Sequence, residues 1–160
     1  MKKILLIIVV IILSLGLWKI WPSQTQTITV FFLDTANFNI GREPYEKSVV
    51  REVAVGDPMK AVLQELIKGP TSAEQAIGLA VEKSAATSLR LEFNNETGLA
   101  RVYLEGGCDS RGSTYTIGNL IVKNLRQFPD VKRVYIYDPA GSTLGTGNEP
   151  FDLLPDCLQP

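Results

Sequence analysis

The sequence predicts an α+β fold: a two-layer sandwich of two helices on a mostly antiparallel sheet of about five strands. Three observations point to it. Short runs of alternating apolar and polar residues recur at Ser48–Val55, Leu89–Phe93 and Ala100–Leu104. Between them Met59, Val62, Leu63, Leu66 and Ile67 repeat at helical spacing. A second helical stripe runs from Ile117 through Leu120, Ile121, Asn124 and Leu125 to Phe128. Together these give the order β-β-α-(α)-β-β-α-β.

The chain opens with MKKILLIIVVIILSLGLWKIW. Two lysines precede an apolar run of roughly 17 residues, at the short end for a membrane span. Lys2 and Lys3 orient the remainder outward, and Trp18, Lys19 and Trp21 suit the membrane–water boundary. Residues 1–21 therefore read as a signal anchor, with residues 4–21 in the cytoplasmic membrane and the rest of a single-pass protein outside the cytoplasm. Cleavage as a signal peptide, releasing a secreted domain, is the alternative. Residues 22–26 are a linker, residues 27–138 the domain and residues 139–160 a tail.

Thr27–Leu33 is β-branched and aromatic and reads as the first strand. A loop from Asp34 to Lys47 brings Phe38 and Tyr45 back onto the domain, and Ser48–Val55 forms the second strand. Asp57 then caps a helix, and Pro58 sits where its missing N–H costs nothing. Gly69 and Pro70 stop that helix. Thr71 and Glu74 have the spacing of a capping box, which starts a short helical turn ending near Gly78. Leu89–Phe93 and Ala100–Leu104, joined by the turn residues Asn94 to Gly98, form a hairpin. Ser113 or Thr114 caps the second helix, Pro129 ends it, and Val131–Tyr137 is the last strand.

The 16 basic residues include Lys2, Lys3 and Lys19; setting these aside leaves 13 against 17 acidic ones. A mildly acidic domain without a Lys/Arg cluster has no electrostatic footprint for nucleic acid. Histidine is absent, which removes Ser-His-Asp and Cys-His mechanisms and most zinc sites. Ser84 beside Lys83 lacks the apolar setting of a Ser-Lys dyad. Glu92 and Glu105 read as part of a cross-strand ladder with Arg90 and Arg101 rather than as a catalytic pair. The run from Gly106 to Thr114 lacks the lysine of a phosphate loop, and Asp138, Glu149, Asp152 and Asp156 lack calcium-loop spacing. No cofactor, metal or catalytic residue is expected. Cys108 and Cys157, an even pair in an exported domain, are expected as a disulfide, with two separately buried thiols as the alternative. Tyr103, Tyr135 and Tyr137 alternate outward on their strands and Tyr115 is near the start of the second helix. These four form a candidate interaction surface; packing under the tail or a loop is the other reading.

Leu66, Gly69, Pro70, Thr71, Glu74, Gly78 and Leu79 resemble the corner motif of the GerM-domain family of sporulation and spore germination. The flanking DPMKAVLQELIKG, LRLEFNNETGLARVYLE and QFPDVKRVYIYDPAG are similar to its helix, hairpin and last strand. The resemblance implies a small extracytoplasmic α+β domain, laid out like ring-building modules, without recognised catalytic residues. Envelope proteins or cell wall are the expected partners and an oligomer is compatible; a glycan or small-molecule binding domain is the alternative function, and a cell-wall enzyme acting through acidic residues is the further one. A single domain copy and the cysteine pair depart from the family pattern.

Overall fold

The computed structural model describes residues 24–160. The expected membrane anchor and the first two linker residues, 22 and 23, lie outside the described residues, and the last two linker residues, Thr25 and Gln26, already belong to the first strand. Among the described residues no helix is long and apolar enough to cross a membrane. The α+β class holds, with the strands parted into two three-stranded sheets. In the first, β1 (Thr25–Asp34) lies between β2 (Glu46–Ala54) and the short β3 (Leu79–Ala80), antiparallel to both. In the second, β5 (Leu99–Glu105) lies between β4 (Ser88–Asn94) and β6 (Arg133–Tyr137). β4 and β5 form the expected antiparallel hairpin; β6 returns parallel to β5.

The sheets stay separate because β1 meets a helix along its remaining edge. Helix α4 (Ile117–Arg126) presents a fully buried Asn124 there. The Asn124 Oδ1 accepts from the Phe31 N–H and its Nδ2 donates to the Phe31 carbonyl, both at 2.9 Å. The Gln127 amide donates to the Thr29 carbonyl at 3.1 Å. Two side-chain amides thus stand in for a neighbouring strand and satisfy backbone groups that would otherwise be buried unpaired.

The helices follow local signals. In α2 (Pro58–Lys68) the Asp57 carboxylate accepts from the Met59 N–H at 3.0 Å. Gly69 adopts φ 88°, which favours glycine, and its N–H closes on the Glu65 and Leu66 carbonyls. Val62, Leu63 and Leu66 are buried, each contributing about 2 kcal/mol by removal from water. In α3 (Ser72–Ala76) the capping box is complete: the Thr71 N–H donates to Glu74 Oε2 at 2.7 Å and the Glu74 N–H to Thr71 Oγ1 at 3.3 Å. Two features differ from the sequence expectation. A short helix α1 (Thr35–Asn39) forms inside the first loop, because Asp34 accepts from the Ala36 and Asn37 N–H groups. Helix α4 has Thr116 as its N-cap, two or three residues after the expected caps. Ser113 closes its own turn with Tyr115, while Asn119 accepts from the Thr116 N–H at 2.8 Å.

The inner faces of both sheets, α2 and α4 share one core. The tail completes it. Cys108 and Cys157 form a disulfide with Cα atoms 5.7 Å apart, and Leu158 is buried in the core. Leu154 packs so closely on Gly118 that a Cβ there would lie 2.5 Å from a Leu154 methyl. Part of the tail runs along β6: the Ile136 N–H donates to the Leu153 carbonyl at 2.8 Å, and the Leu153 N–H to the Val134 carbonyl at 3.0 Å.

Candidate functional site

The outward face of the second sheet is built by strand alternation. Leu91, Val102, Leu104, Val134 and Ile136 point to the core, so Arg90, Glu92, Arg101, Tyr103, Glu105, Tyr135 and Tyr137 turn outward. Register sets them in rows. Arg90, Tyr103 and Tyr137 lie side by side across β4, β5 and β6, and Glu92, Arg101 and Tyr135 form the next row. The first row is a continuous stack. The Arg90 guanidinium sits 3.8 Å from the Tyr103 ring centre, and the Tyr103 and Tyr137 rings stack at 4.8 Å and 17°. Such contacts are worth about 1 kcal/mol each. The Tyr103 hydroxyl donates to Glu92 at 3.3 Å. Partial burial and the adjacent Glu92 carboxylate push the Tyr103 pKa up, so the phenol stays protonated.

The four tyrosines of the sequence expectation do not make one open surface. Tyr103 and Tyr137 are brought together and stay half-exposed. Tyr135 shares their face but is fully buried, because the tail crosses it: Leu153 and Leu99 cover the ring and its hydroxyl donates to the Glu149 carbonyl at 2.6 Å. The Glu149 side chain anchors that turn. Its carboxyl is held down to about 2 by the Thr146 backbone N–H, with help from Gly147. Tyr115 is also buried and lies elsewhere. Its ring closes an aromatic cluster with Phe38 and Tyr45, and its hydroxyl donates to Glu46 at 2.7 Å. Burial first, and then the Glu46 carboxylate, raise its pKa. The face is therefore half covered by the tail and half open, with the Arg90–Tyr103–Tyr137 stack at the centre of the open half.

The charged groups weighed for chemistry have structural partners. Glu92 pairs along its own strand with Arg90 rather than across to Arg101, and Glu105 accepts from Ser88. Ser84 is buried and its Oγ accepts from the Ile117 N–H at 3.1 Å, at the start of α4. Asp152 accepts from Arg126 and from the Val134 N–H. Asp138 closes a turn on Ala140 and Ser142. Among the described residues no three metal-ligating side chains gather.

One group escaped the sequence reading. Arg51 of β2 bridges Glu65 of α2 and Glu74 of α3, each at 2.6 Å, and donates to the Gly69 carbonyl at 3.1 Å. It lies over the Phe32 ring at 5.0 Å. Burial alone raises the Glu65 and Glu74 carboxyls. Hydrogen bonds and charge outweigh it, from Lys68 and Arg51 at Glu65 and from Thr71 and Arg51 at Glu74, and both pKa values end below the ordinary 4.5. The available signal was phase: Arg51 falls in the inward series between Val49 and Val53.

This knot clasps the stretch from Leu66 to Leu79, and over that stretch the chain also matches known proteins. A family model described as "Germane: Sporulation and spore germination" matches residues 29–137. The chain belongs to the Germane family. Among solved structures it is similar to the tandem GerMN domains of the sporulation protein GerM from Bacillus subtilis. The identity is 23% and the TM-score 0.51, over 76% of this chain and 41% of that one. This chain thus spans less than half of that solved chain, and the likeness is one of fold. No curated protein matches. The Germane match takes in Arg51, Glu65, Glu74 and the four tyrosines; the tail from Asp138 onward lies beyond it.

Proposed function

We propose that this Germane domain is a non-catalytic interaction module of the bacterial cell envelope. Residues 4–21 hold it at the cytoplasmic membrane, and the folded part works outside the cytoplasm in sporulation, germination or envelope assembly. The observation that carries this reading is the Arg90–Tyr103–Tyr137 stack on an open sheet face. A rigid row of amphipathic rings, ordered before binding, loses little entropy on contact and suits a protein partner. A glycan platform needs free ring faces. Here both faces of Tyr103 are taken by its neighbours, and only Tyr137 at the end of the row has a ring face without a stacking partner.

The test is a double Tyr103→Ala/Tyr137→Ala variant in the host. It should lose crosslinks from this face to envelope proteins and lose the host function, with the chain still folding cooperatively at a urea midpoint lowered by about 1 M. Retained crosslinking and function with a folded double variant would remove the face from the proposal. Turnover of wall polymer by the purified full chain would overturn the non-catalytic reading.

A further inference from the structure

We infer that β2 pairs, antiparallel and edge to edge, with β2 of a second copy of this chain, so that the first sheet continues across a two-fold axis at Val50. β2 is an outermost strand of that sheet, and among the described residues no strand lies on its far side. None of its nine residues is buried. Edges of this length are usually blunted by a proline, a bulge, a central lysine or a covering element. Glu46–Ala54 contains no proline, and its register with β1 runs without a bulge. Its one lysine, Lys47, lies near one end.

The backbone groups on that edge can be named. The Phe31 N–H and C=O turn away from β2, since both bond to Asn124. Phe31 stands opposite Ser48. In an antiparallel pair, opposite residues turn their backbone groups toward each other or away together. The N–H and C=O of Ser48 therefore face outward, and alternation adds those of Val50 and Glu52. Among the described residues none of these groups has a partner in the protein. They form a ready template for another strand.

Val50 points to a second copy as the occupant. It is 69% exposed, the highest value among the exposed large apolar side chains of the described residues, and it is the middle residue of its strand. A two-fold axis there pairs the strand with itself over its whole length. On the face turned from the core, Val50 meets Val50, Ser48 meets Glu52 and Glu46 meets Ala54. On the other face Val49 meets Arg51 and Lys47 meets Val53. No like charges stand opposite one another, and the Ser48 hydroxyl of each copy can donate to Glu52 of the other. Glu46 is the diagonal neighbour of the other copy's Glu52, and Lys123 already counters it at 3.9 Å. A shift of two residues either way shortens the ladder and sets Val50 against Ser48 or Glu52. The full-length register is thus the one that covers the exposed valine with its own kind. Such a contact uses up the edge in both copies, so assembly stops at two.

The β2 edge and the Arg90–Tyr103–Tyr137 stack lie on different sheets, so each can fail alone. The full chain in detergent should sediment as a reversible dimer. Amide exchange at Ser48, Val50 and Glu52 should slow as protein concentration rises. With Cys108 and Cys157 joined to each other, an introduced thiol is the one free to react. Facing residues of this kind have Cα atoms about 5.5 Å apart, within disulfide reach. Val50→Cys should therefore cross-link to itself on mild oxidation. Ser48→Cys and Glu52→Cys should cross-link when mixed and neither alone. Val50→Lys sets two ammonium groups across the axis and should weaken the dimer about tenfold or more. Val50→Pro removes an outward N–H without touching the ladder to β1 and should abolish the dimer. Tyr103→Ala/Tyr137→Ala should leave it within about twofold. A full chain that stays monomeric at about 0.1 mM, leaving the edge to a foreign strand, would overturn the inference. So would absence of the Val50→Cys cross-link, self-linking of Ser48→Cys or Glu52→Cys alone, or a dimer undiminished in folded Val50→Lys.

Discussion

Replacing Arg51 by methionine tests whether the corner after α2 is held by charge. Methionine keeps an aliphatic stem over Phe32 and removes the guanidinium. Glu65 and Glu74 are then left facing one another, with side chains only 12% and 17% exposed. Removing one partner of a buried ion pair costs about 3–5 kcal/mol. The residual solvent contact of all three groups places this case at the low end, about 3 kcal/mol near neutral pH. With a urea slope of about 2 kcal/mol/M, the midpoint should fall by roughly 1.5 M, read by far-ultraviolet circular dichroism. The pH dependence sharpens the test. Both carboxyls titrate below their ordinary 4.5 in the folded chain. Their contribution is therefore present above that value and is lost as pH falls through the folded values. In Arg51→Met the guanidinium is gone while Lys68 still holds Glu65 and Thr71 still holds Glu74, so that acid-linked loss should shrink. The gap between the two proteins should narrow as pH falls below 4.5 and through the folded values. Arg51→Lys, with one compact charge for two carboxylates, should lie between them. A neutral-pH midpoint shift below about 0.3 M, or a gap independent of pH, would refute the reasoning.

Two further outcomes follow from the packing. Reducing the Cys108–Cys157 disulfide, or replacing both residues by alanine, opens a cross-link between residues 49 apart; the chain-entropy model gives a loss of about 4 kcal/mol, readable as a lower urea midpoint. Equal midpoints for oxidised and reduced protein would contradict it. Asn124→Leu keeps the volume of the buried side chain but orphans the Phe31 N–H and C=O. A cost of about 3 kcal/mol is expected in equilibrium unfolding, and a loss under about 1 kcal/mol would mean that β1 finds other partners.

Much of the fold was legible because its signals are local. Asp57, Pro58, Gly69 and Pro70 bracket α2 within the stretch that forms it, and the β4–β5 hairpin carries its own alternation and turn. What the sequence reading missed depends on distant residues. The split into two sheets is decided by Asn124, 93 residues from its partner Phe31. Its place inside an apolar stripe was the only hint. The phase of β6 correctly put Tyr135 outward, but alternation names a face and not what lies over it. The tail that buries Tyr135 has no periodicity to announce its path. Tyr115 was misplaced for a related reason: α4 starts later than its caps suggested, and the preceding turn swings the ring onto Phe38 and Tyr45. The corner residues Thr71 and Glu74 were correctly read as a cap, yet Glu74 also serves Arg51, a role visible only once β2 is in place.

The Germane match ends at Tyr137, but the cooperative unit does not. Beyond that point lie Leu158 of the core, the Leu154 methyl that fits against Gly118, one half of the disulfide and the lid over Tyr135. A fragment cut where the family resemblance stops would bare Leu99 and Tyr135, leave a free thiol at Cys108 and reopen the backbone of β6. It would then carry an uncovered strand on both margins of one sheet, the geometry from which aggregates grow. For this member of the family, the boundary used in any expression or swap experiment belongs beyond Leu158 and not at the end of the match.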